Sequence, residues 1–318
     1  MRGAIILFSV IGLAGFAPAA GPVKLAFFNI QSGKGEVGLP GRRVLFADTQ
    51  NCTDTTQPIN AWGVGFVQRE LVKAVKNDPA IVALGLAEAW LCGSSENVRQ
   101  LLGWAATTST RNGLAVVARH GLAGPETWKE LDTSRNPNPK DTMWVVRVPV
   151  CLDASCRTSI LMYSAHWFGT GPEKLATYDR QAQQTLEFMT QTAGGEPHVL
   201  IGDLNVWEGP GRQCGQGPNP TGIPRLRSAG YIDAWPRIHG GAEGFTGMTN
   251  RKGCGSPAGY TWKRIDYAWS SPRFIPTDIT RFAVPETPGD AAASGHYGII
   301  ATYPMPAASS SPPSTKRR

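Results

Sequence analysis

The stretch His198-Val199-Leu200-Ile201-Gly202-Asp203-Leu204-Asn205 runs from an apolar segment straight into a polar corner. Val199-Leu200-Ile201 has no polar face, which is how a strand covered on both sides reads. Asp203 and Asn205 follow at once, where the strand gives way to a loop. The same pattern recurs along the chain. Val23 to Ile30 is a strand-like run carrying Asn29 at its end, Ala80 to Ala87 stops at Glu88, and Ser159 to Ser164 runs on into His166. Asp266 and His296 stand at or just before further strand-like runs. Taken singly, an Asp after a strand is usually a turn former, and a lone His is usually a satisfied structural group. Together they are placed to share a cleft, because sheet ends bring residues distant in sequence together on a rigid frame.

Helical segments lie between these strands. From Trp62 to Val75 the residues Phe66, Val67, Leu71, Val72 and Val75 recur at helical spacing, and Asn77-Asp78-Pro79 stops the helix. Ser94-Ser95-Glu96 opens a short helix through Leu102. Pro172 to Thr192 carries Leu175, Tyr178, Ala182, Leu186 and Met189 on one stripe, with Pro172 at the first helical position, where its missing N–H is tolerated. Gly113 to Ala118, Met143 to Val150, Trp262 to Trp269, Ile279 to Val284 and Gly298 to Tyr303 read as strands. Gly209 to Gly259 is Gly/Pro-rich and reads as a long irregular stretch overhanging the cleft. With no repeat and no break in composition, residues 21–304 form one α/β domain, two packed sheets flanked by helices.

The ends of the chain differ from its middle. Arg2, the apolar run Ala4 to Phe16 and the small residues Ala17-Pro18-Ala19-Ala20 have the layout of a secretory signal peptide, so 1–20 is expected to be a removed leader. The run is short of the roughly 20 apolar residues that a spanning helix needs, so no transmembrane anchor is expected once it is cleaved. The protein is then expected to be secreted or periplasmic. Residues 305–318 are rich in Pro, Ser and Ala and end in Lys316-Arg317-Arg318, which reads as a disordered basic tail. Of the formal net charge of +7, four positive charges therefore belong to leader and tail, and the remainder tolerates a phosphate-bearing substrate without requiring one. An apolar share of 41% with only 17% charged residues excludes a largely disordered chain. The six cysteines form no C-x-x-C pair, which speaks against a zinc or redox motif, and export favours disulfides. Cys151 and Cys156 flank a turn between two strands and are the pairing with a local reason; Cys52–Cys92 and Cys214–Cys254 rest on sequence proximity alone.

In the order of their motifs, these residues resemble the endonuclease/exonuclease/phosphatase superfamily, the DNase I-like proteins, over about Val23 to Tyr303. Phe28-Asn29-Ile30-Gln31 looks like its first motif and Ala87-Glu88-Ala89 its second. Ser164-Ala165-His166 matches the strand-end His motif, Gly202-Asp203-Leu204-Asn205 the G-D-x-N motif, and Arg264-Ile265-Asp266-Tyr267 the R-I-D-Y motif. Asn112 to Arg119 resembles the G-x-A-x-x-x-R strand. Ser294-Gly295-His296-Tyr297 matches the terminal S-D-H motif imperfectly, with Gly295 in place of the Asp.

The resemblance implies a four-layer α/β sandwich, two packed mixed sheets flanked by helices, and a metal-dependent phosphoric-ester hydrolase. Glu88 and Asn29 would hold Mg²⁺ (or Mn²⁺), a hard cation that prefers oxygen ligands and takes one or two carboxylates. His296 with Asp266 would form a carboxylate-held histidine, with either His296 or Asp203 as the base; Asn205 would hold the phosphate or the water, and His166 would stabilise charge or protonate the leaving group. Arg111, with Asn112, is a candidate phosphate contact or an ordinary surface arginine. Gln31 stands where some relatives carry an acidic ligand. Gly295 points to a one-metal site, altered metal preference or weakened activity, unless Asp290 folds back as a substitute. The expected substrate is a phosphate ester, nucleic acid first, taken by a monomer. A lipid head group is the rival, with Trp207, Trp235 or Phe245 meeting the lipid. A catalytically dead relative that binds a phosphorylated ligand is the reading from another class.

Overall fold

In a computed structural model the described residues are 21–30, 64–89, 95–133, 142–168, 175–208, 220–250, 260–284 and 294–306. In chain order the elements are β1 (Val23–Asn29), α1 (Val64–Leu71), β2 (Ile81–Ala87), α2 (Ser95–Leu102), β3 (Ala106–Thr107), β4 (Ala115–Ala118), β5 (Thr127–Leu131), β6 (Met143–Cys151) and β7 (Ser159–His166). Then follow α3 (Leu175–Ala193), β8 (His198–Asp203), α4 (Ile223–Ser228), β9 (Ile232–Asp233), α5 (Ala234–His239), β10 (Gly247–Asn250), β11 (Tyr260–Lys263), β12 (Asp266–Ser270), β13 (Asp278–Phe282) and β14 (Gly298–Tyr303). A single π turn, Val72–Lys76, continues α1.

Two six-stranded sheets result. The first has the order β13-β14-β1-β2-β4-β3 and the second β5-β6-β7-β8-β12-β9, while β10 and β11 form a separate two-stranded ribbon. Both sheets are mixed: β1 runs parallel to β2 and β7 parallel to β8, and their other pairings are antiparallel. The central strands are apolar on both faces because both faces are covered. Leu25, Phe27, Met162, Val199 and Ile201 point between the sheets. Ala26 and Phe28 face outward onto Val67, Leu71 and Val75, while Leu161, Tyr163 and Leu200 face outward onto Tyr178, Ala182 and Met189. These three buried clusters separate four layers, as expected from the sequence.

The alternation also aims the site. Asn29 follows Leu25 and Phe27 in the period-2 series, His166 follows Ile160 and Met162, and Asp203 follows Val199 and Ile201. Each is therefore on the inner face of its sheet, past the last apolar partner in its series. The sheets approach closely below it: a Cβ added at Gly85 would lie 2.7 Å from Ser164 Oγ and 2.8 Å from the Phe27 ring.

Several boundaries differ from the sequence reading. Trp262 to Trp269 is two strands rather than one, because the chain breaks at Arg264, whose guanidinium turns in to Asp233 with two bonds of 2.8 Å. The stretch Gly209 to Gly259 is not wholly irregular: it contains α4, β9, α5 and β10. Strand β5 was not anticipated, since most of its residues are exposed or half-buried and leave no apolar alternation. The Cys151–Cys156 disulfide is formed. Pro172, Gln31, Asp290, the other four cysteines, the leader and residues 307–318 lie outside the described residues. Among the described residues, no helix is long and apolar enough to cross a membrane.

Candidate active site

Register brings four side chains into one row. Trp144 of β6 lies opposite His166 of β7, His166 opposite Asp203 of β8, and Asp203 opposite Asp266 of β12. The first sheet faces this row with Asn29 at the end of β1 and Glu88 just past β2. Asn29 Nδ2 donates to Asp203 Oδ2 at 3.0 Å and to Glu88 Oε1 at 3.1 Å, joining the two sheets across the cleft. Asp203 is the centre: its Oδ2 lies 3.6 Å from His166 Nε2 and 3.8 Å from His296 Nε2. Its Oδ1 accepts the main-chain N–H of Asn205 at 2.9 Å. His296 is held from behind, with Nδ1 2.9 Å from Asp266 Oδ2. Six of the residues singled out in sequence, Asn29, Glu88, His166, Asp203, Asp266 and His296, are thus brought together.

Asn205 is tied into the loop after β8 by two bonds. Its side-chain Nδ2 donates to the Trp167 carbonyl at 3.0 Å, so that amide pins the loop while its main chain holds Asp203. Asn112 likewise gives its amide to the Thr142 carbonyl at 2.6 Å. Arg111 is exposed and stands beside the row, against Trp144. Glu88, Asn112 and Asn205 all adopt positive φ (51°, 44° and 53°). Asn tolerates that region, but Glu does so rarely, and such outliers collect where a site over-determines the backbone.

The supporting shell was largely hidden in sequence. Thr246, buried in the stretch that read as irregular, accepts the N–H groups of Ile265 (3.1 Å) and Asp266 (2.9 Å) on one hydroxyl. Its carbonyl accepts the N–H of Tyr297, fixing the chain on the far side of His296. Ser294 Oγ donates to the Asn29 carbonyl at 2.7 Å and accepts the His296 N–H at 3.1 Å. Tyr267 reaches the Val206 carbonyl at 2.9 Å, so the R-I-D-Y motif anchors the loop after Asp203 as well as Asp266. Ser294 and Tyr267 carried a sequence signal, through their motifs; a lone Thr between Phe245 and Gly247 carries none.

Charge is concentrated here on buried side chains. Burial pushes Asp203 upward, to about 6, with Asp266 adding to the rise and both histidines and Asn29 opposing it. Burial works to lower His296, yet Asp266, Asp203 and, more weakly, Glu88 outweigh it and raise the imidazole to about 10. His296 therefore holds its proton at neutral pH, with Asp266 on one side and Asp203 on the other.

This geometry agrees with the comparisons. The model of the endonuclease/exonuclease/phosphatase family matches residues 28–294. The chain belongs to that family. No curated protein sequence matches it. Among solved structures, it is similar to an endonuclease/exonuclease/phosphatase from Beutenbergia cavernae, at 17% identity over 90% of this chain and 72% of that one, with a TM-score of 0.61. It is also similar to a family member from Bacteroides vulgatus (13% identity, 90% and 100% covered, TM-score 0.58). A third is D. rerio TDP2 complexed with a single-strand DNA product (12% identity, 89% and 99% covered, TM-score 0.57). At these identities the likeness establishes the fold.

Members of the endonuclease/exonuclease/phosphatase family are typically divalent-metal-dependent phosphoric-ester hydrolases. The residues present suit such an ion. Asn29 Nδ2 is bonded to Glu88 and Asp203, so the Asn29 atom that would hold a cation is its amide oxygen, together with the carboxyl group of Glu88. That is an oxygen donor set of the kind a hard cation takes. Asp203, Asp266 and His296 form a second group, with candidate ligand atoms within 4.8 Å of one another. The His296–Asp266 hydrogen bond already occupies part of that group, so a cation there competes with a proton.

Proposed function

We propose that this family member is an exported hydrolase that cleaves phosphodiester bonds with a divalent cation, most simply Mg²⁺ or Mn²⁺, and that its substrate is a nucleic acid. The observation that carries the reading is the chain Asp203···His296–Asp266 beside Asn29 and Glu88. A phosphodiester resists attack because its oxygens are negative and its alkoxide leaves poorly. Glu88 and Asn29 would hold the cation, which would neutralise charge at the phosphoryl oxygens. Every other task falls to side chains.

His296 is already protonated at neutral pH, so it serves as a fixed positive charge rather than as the base. Asp203, raised to about 6, is ionised at neutral pH yet basic enough to accept a proton from the attacking water, which suits general-base work. Asn205 fixes one oxygen of Asp203 through its main chain, leaving the other directed at the cleft. His166 Nε2 stands on the opposite side of that oxygen from the Asp266 end of the row, where it can protonate or stabilise the departing oxygen.

Nucleic acid is preferred to lipid on specific grounds. Trp235 is buried beneath the surface, and Lys263 Nζ covers the Trp207 ring at 3.9 Å, so neither offers a bare aromatic face to lipid. The single-strand DNA product held by a solved structure of the same fold supports the choice. Gly295 is buried between Ser294 and His296, and the His296–Asp266 pair is formed beside it, which favours an active enzyme over a binding-only relative. The test is purified protein with Mg²⁺, Mn²⁺ or EDTA against plasmid DNA, bis-p-nitrophenyl phosphate and sphingomyelin. Metal-dependent nicking of DNA is expected. Turnover of sphingomyelin alone would replace the substrate, and no metal-dependent turnover of any would leave the binding-only reading.

A further inference from the structure

Arg281 stands at a position where alternation calls for an apolar side chain. On β13 it follows Ile279 in the period-2 series, and on β14 it lies opposite Ile299; both isoleucines point between the sheets. A cation is therefore carried to the inner face of the first sheet, at its edge. It is half-buried, no carboxylate among the described residues pairs with it, and burial lowers its pKa. Its Nη1 donates to the Phe245 carbonyl at 2.6 Å. Its guanidinium carbon is 5.2 Å from the centre of the Trp235 ring and 5.9 Å from that of the Tyr297 ring. Trp235 is fixed in turn, with Nε1 donating to the Ala242 carbonyl at 2.9 Å and its ring 4.3 Å from that of His239. His239 Nε2 meets the Ile279 carbonyl at 2.8 Å, so contacts run from β13 through α5 to the segment 242–245 and back to β13 at Arg281.

The segment held in this way leads directly to the catalytic pair. Thr246 follows Phe245; its hydroxyl accepts the N–H groups of Ile265 and Asp266, and its carbonyl accepts the Tyr297 N–H at 2.6 Å. Gly247, next along, is bridged to His296. Asp266 thus depends on residues 245–247 through the Thr246 hydroxyl, and His296 depends on them through Tyr297 and Gly247. An apolar side chain at 281 would fill the same space without desolvating a cation. It could not donate to the Phe245 carbonyl while lying against two aromatic rings. We propose that Arg281 is a positioning residue for the His296–Asp266 pair, holding Phe245 so that Thr246 and Gly247 set the alignment of both partners. Its effect on rate rests on the phosphodiester-hydrolase reading; the alignment itself does not.

The experiment uses Arg281→Met, which keeps a long stem but no donor, and Arg281→Lys, which keeps the charge, each assayed below its unfolding midpoint. Hydrolysis of bis-p-nitrophenyl phosphate by Arg281→Met is expected to lose about tenfold in kcat with KM within about twofold of wild type, as misalignment of a catalytic pair should. Arg281→Lys should recover part of the loss. In a Thr246→Val background the link is already cut, so adding Arg281→Met should lower kcat by no more than about twofold further. An unchanged kcat in Arg281→Met, or the same tenfold loss in both backgrounds, overturns the positioning role. A second readout needs neither substrate nor cation. The proton resonance of His296 Nδ1–H, identified by its loss in His296→Asn, should move or broaden in Arg281→Met and hold in Arg281→Lys. A resonance that responds in a protein with no turnover rejects the hydrolase reading and keeps the positioning role; turnover with both kcat and resonance indifferent to Arg281 does the reverse.

Discussion

His198 and His296 are buried to the same degree, 7% exposed each, at opposite ends of β8. At the start of the strand, His198 Nδ1 meets the Glu196 carbonyl at 2.7 Å and Nε2 meets the Tyr231 hydroxyl at 2.7 Å. All its partners are neutral, and burial lowers its pKa. At the far end, His296 faces Asp266 and Asp203, and the same degree of burial is overridden, so its pKa rises to about 10. Burial alone therefore does not make a histidine chemical. Carboxylates placed at a strand end do, because a low-dielectric cleft strengthens their hold on a proton.

The comparison breaks first if the charged end is not catalytic. Asp203→Ala and His296→Ala are each expected to lower kcat by about 10³-fold, in the upper part of the range for removing a positioned acid or base. Far-ultraviolet circular dichroism should be unchanged. Either variant retaining the wild-type rate would remove that residue from the mechanism. The rate should also trace the two raised groups, rising as pH passes about 6 with ionisation of Asp203 and falling toward about 10 as His296 loses its proton. A profile flat from pH 5 to 7 would contradict Asp203 as the base.

A smaller effect is expected one layer out. Thr246→Val keeps the shape but removes the acceptor for the Ile265 and Asp266 N–H groups. Two unsatisfied buried donors predict a loss of about 2–4 kcal/mol of stability, and displacement of Asp266 predicts about a tenfold fall in kcat. Thr246→Ser should restore both. Were Thr246→Val to lose stability with kcat unchanged, the residue would be structural only.

How much of this was visible beforehand follows the same division. Val199-Leu200-Ile201-Gly202-Asp203 announces both a strand buried on two faces and the polar residue at its end, because periodicity and burial are local signals. The same holds for Asn29, Glu88 and His166, each at or just past the end of an apolar run. Thr246 was invisible, since what makes it matter is a contact with residues twenty positions away. Arg264 was read as part of a continuous strand for the same reason: its partner, Asp233, lies 31 residues off. Strand β5 left no apolar pattern because only Leu131 of its five residues is buried. Register with β6 creates it, and register is a property of the pair, not of either sequence.

The finest test uses the neutral histidine as the control. His198→Leu should leave kcat/KM within about twofold of wild type and cost about 1–2 kcal/mol, because the Glu196 carbonyl and Tyr231 hydroxyl each lose a partner. The two histidines also predict opposite slopes of stability against pH. His198 has a folded pKa below its unfolded value, so stability is full above the ordinary histidine range and is lost as pH falls through the lower folded value. His296 is raised, so its contribution is full below the ordinary range and is lost as pH rises toward about 10. Denaturant unfolding at pH 5, 7 and 9 should therefore show His198→Leu removing part of the acid-side loss while leaving the alkaline-side loss in place. If both sides respond, the two ends of β8 are coupled, and the strand carries charge information along its length instead of merely holding two separate sites apart.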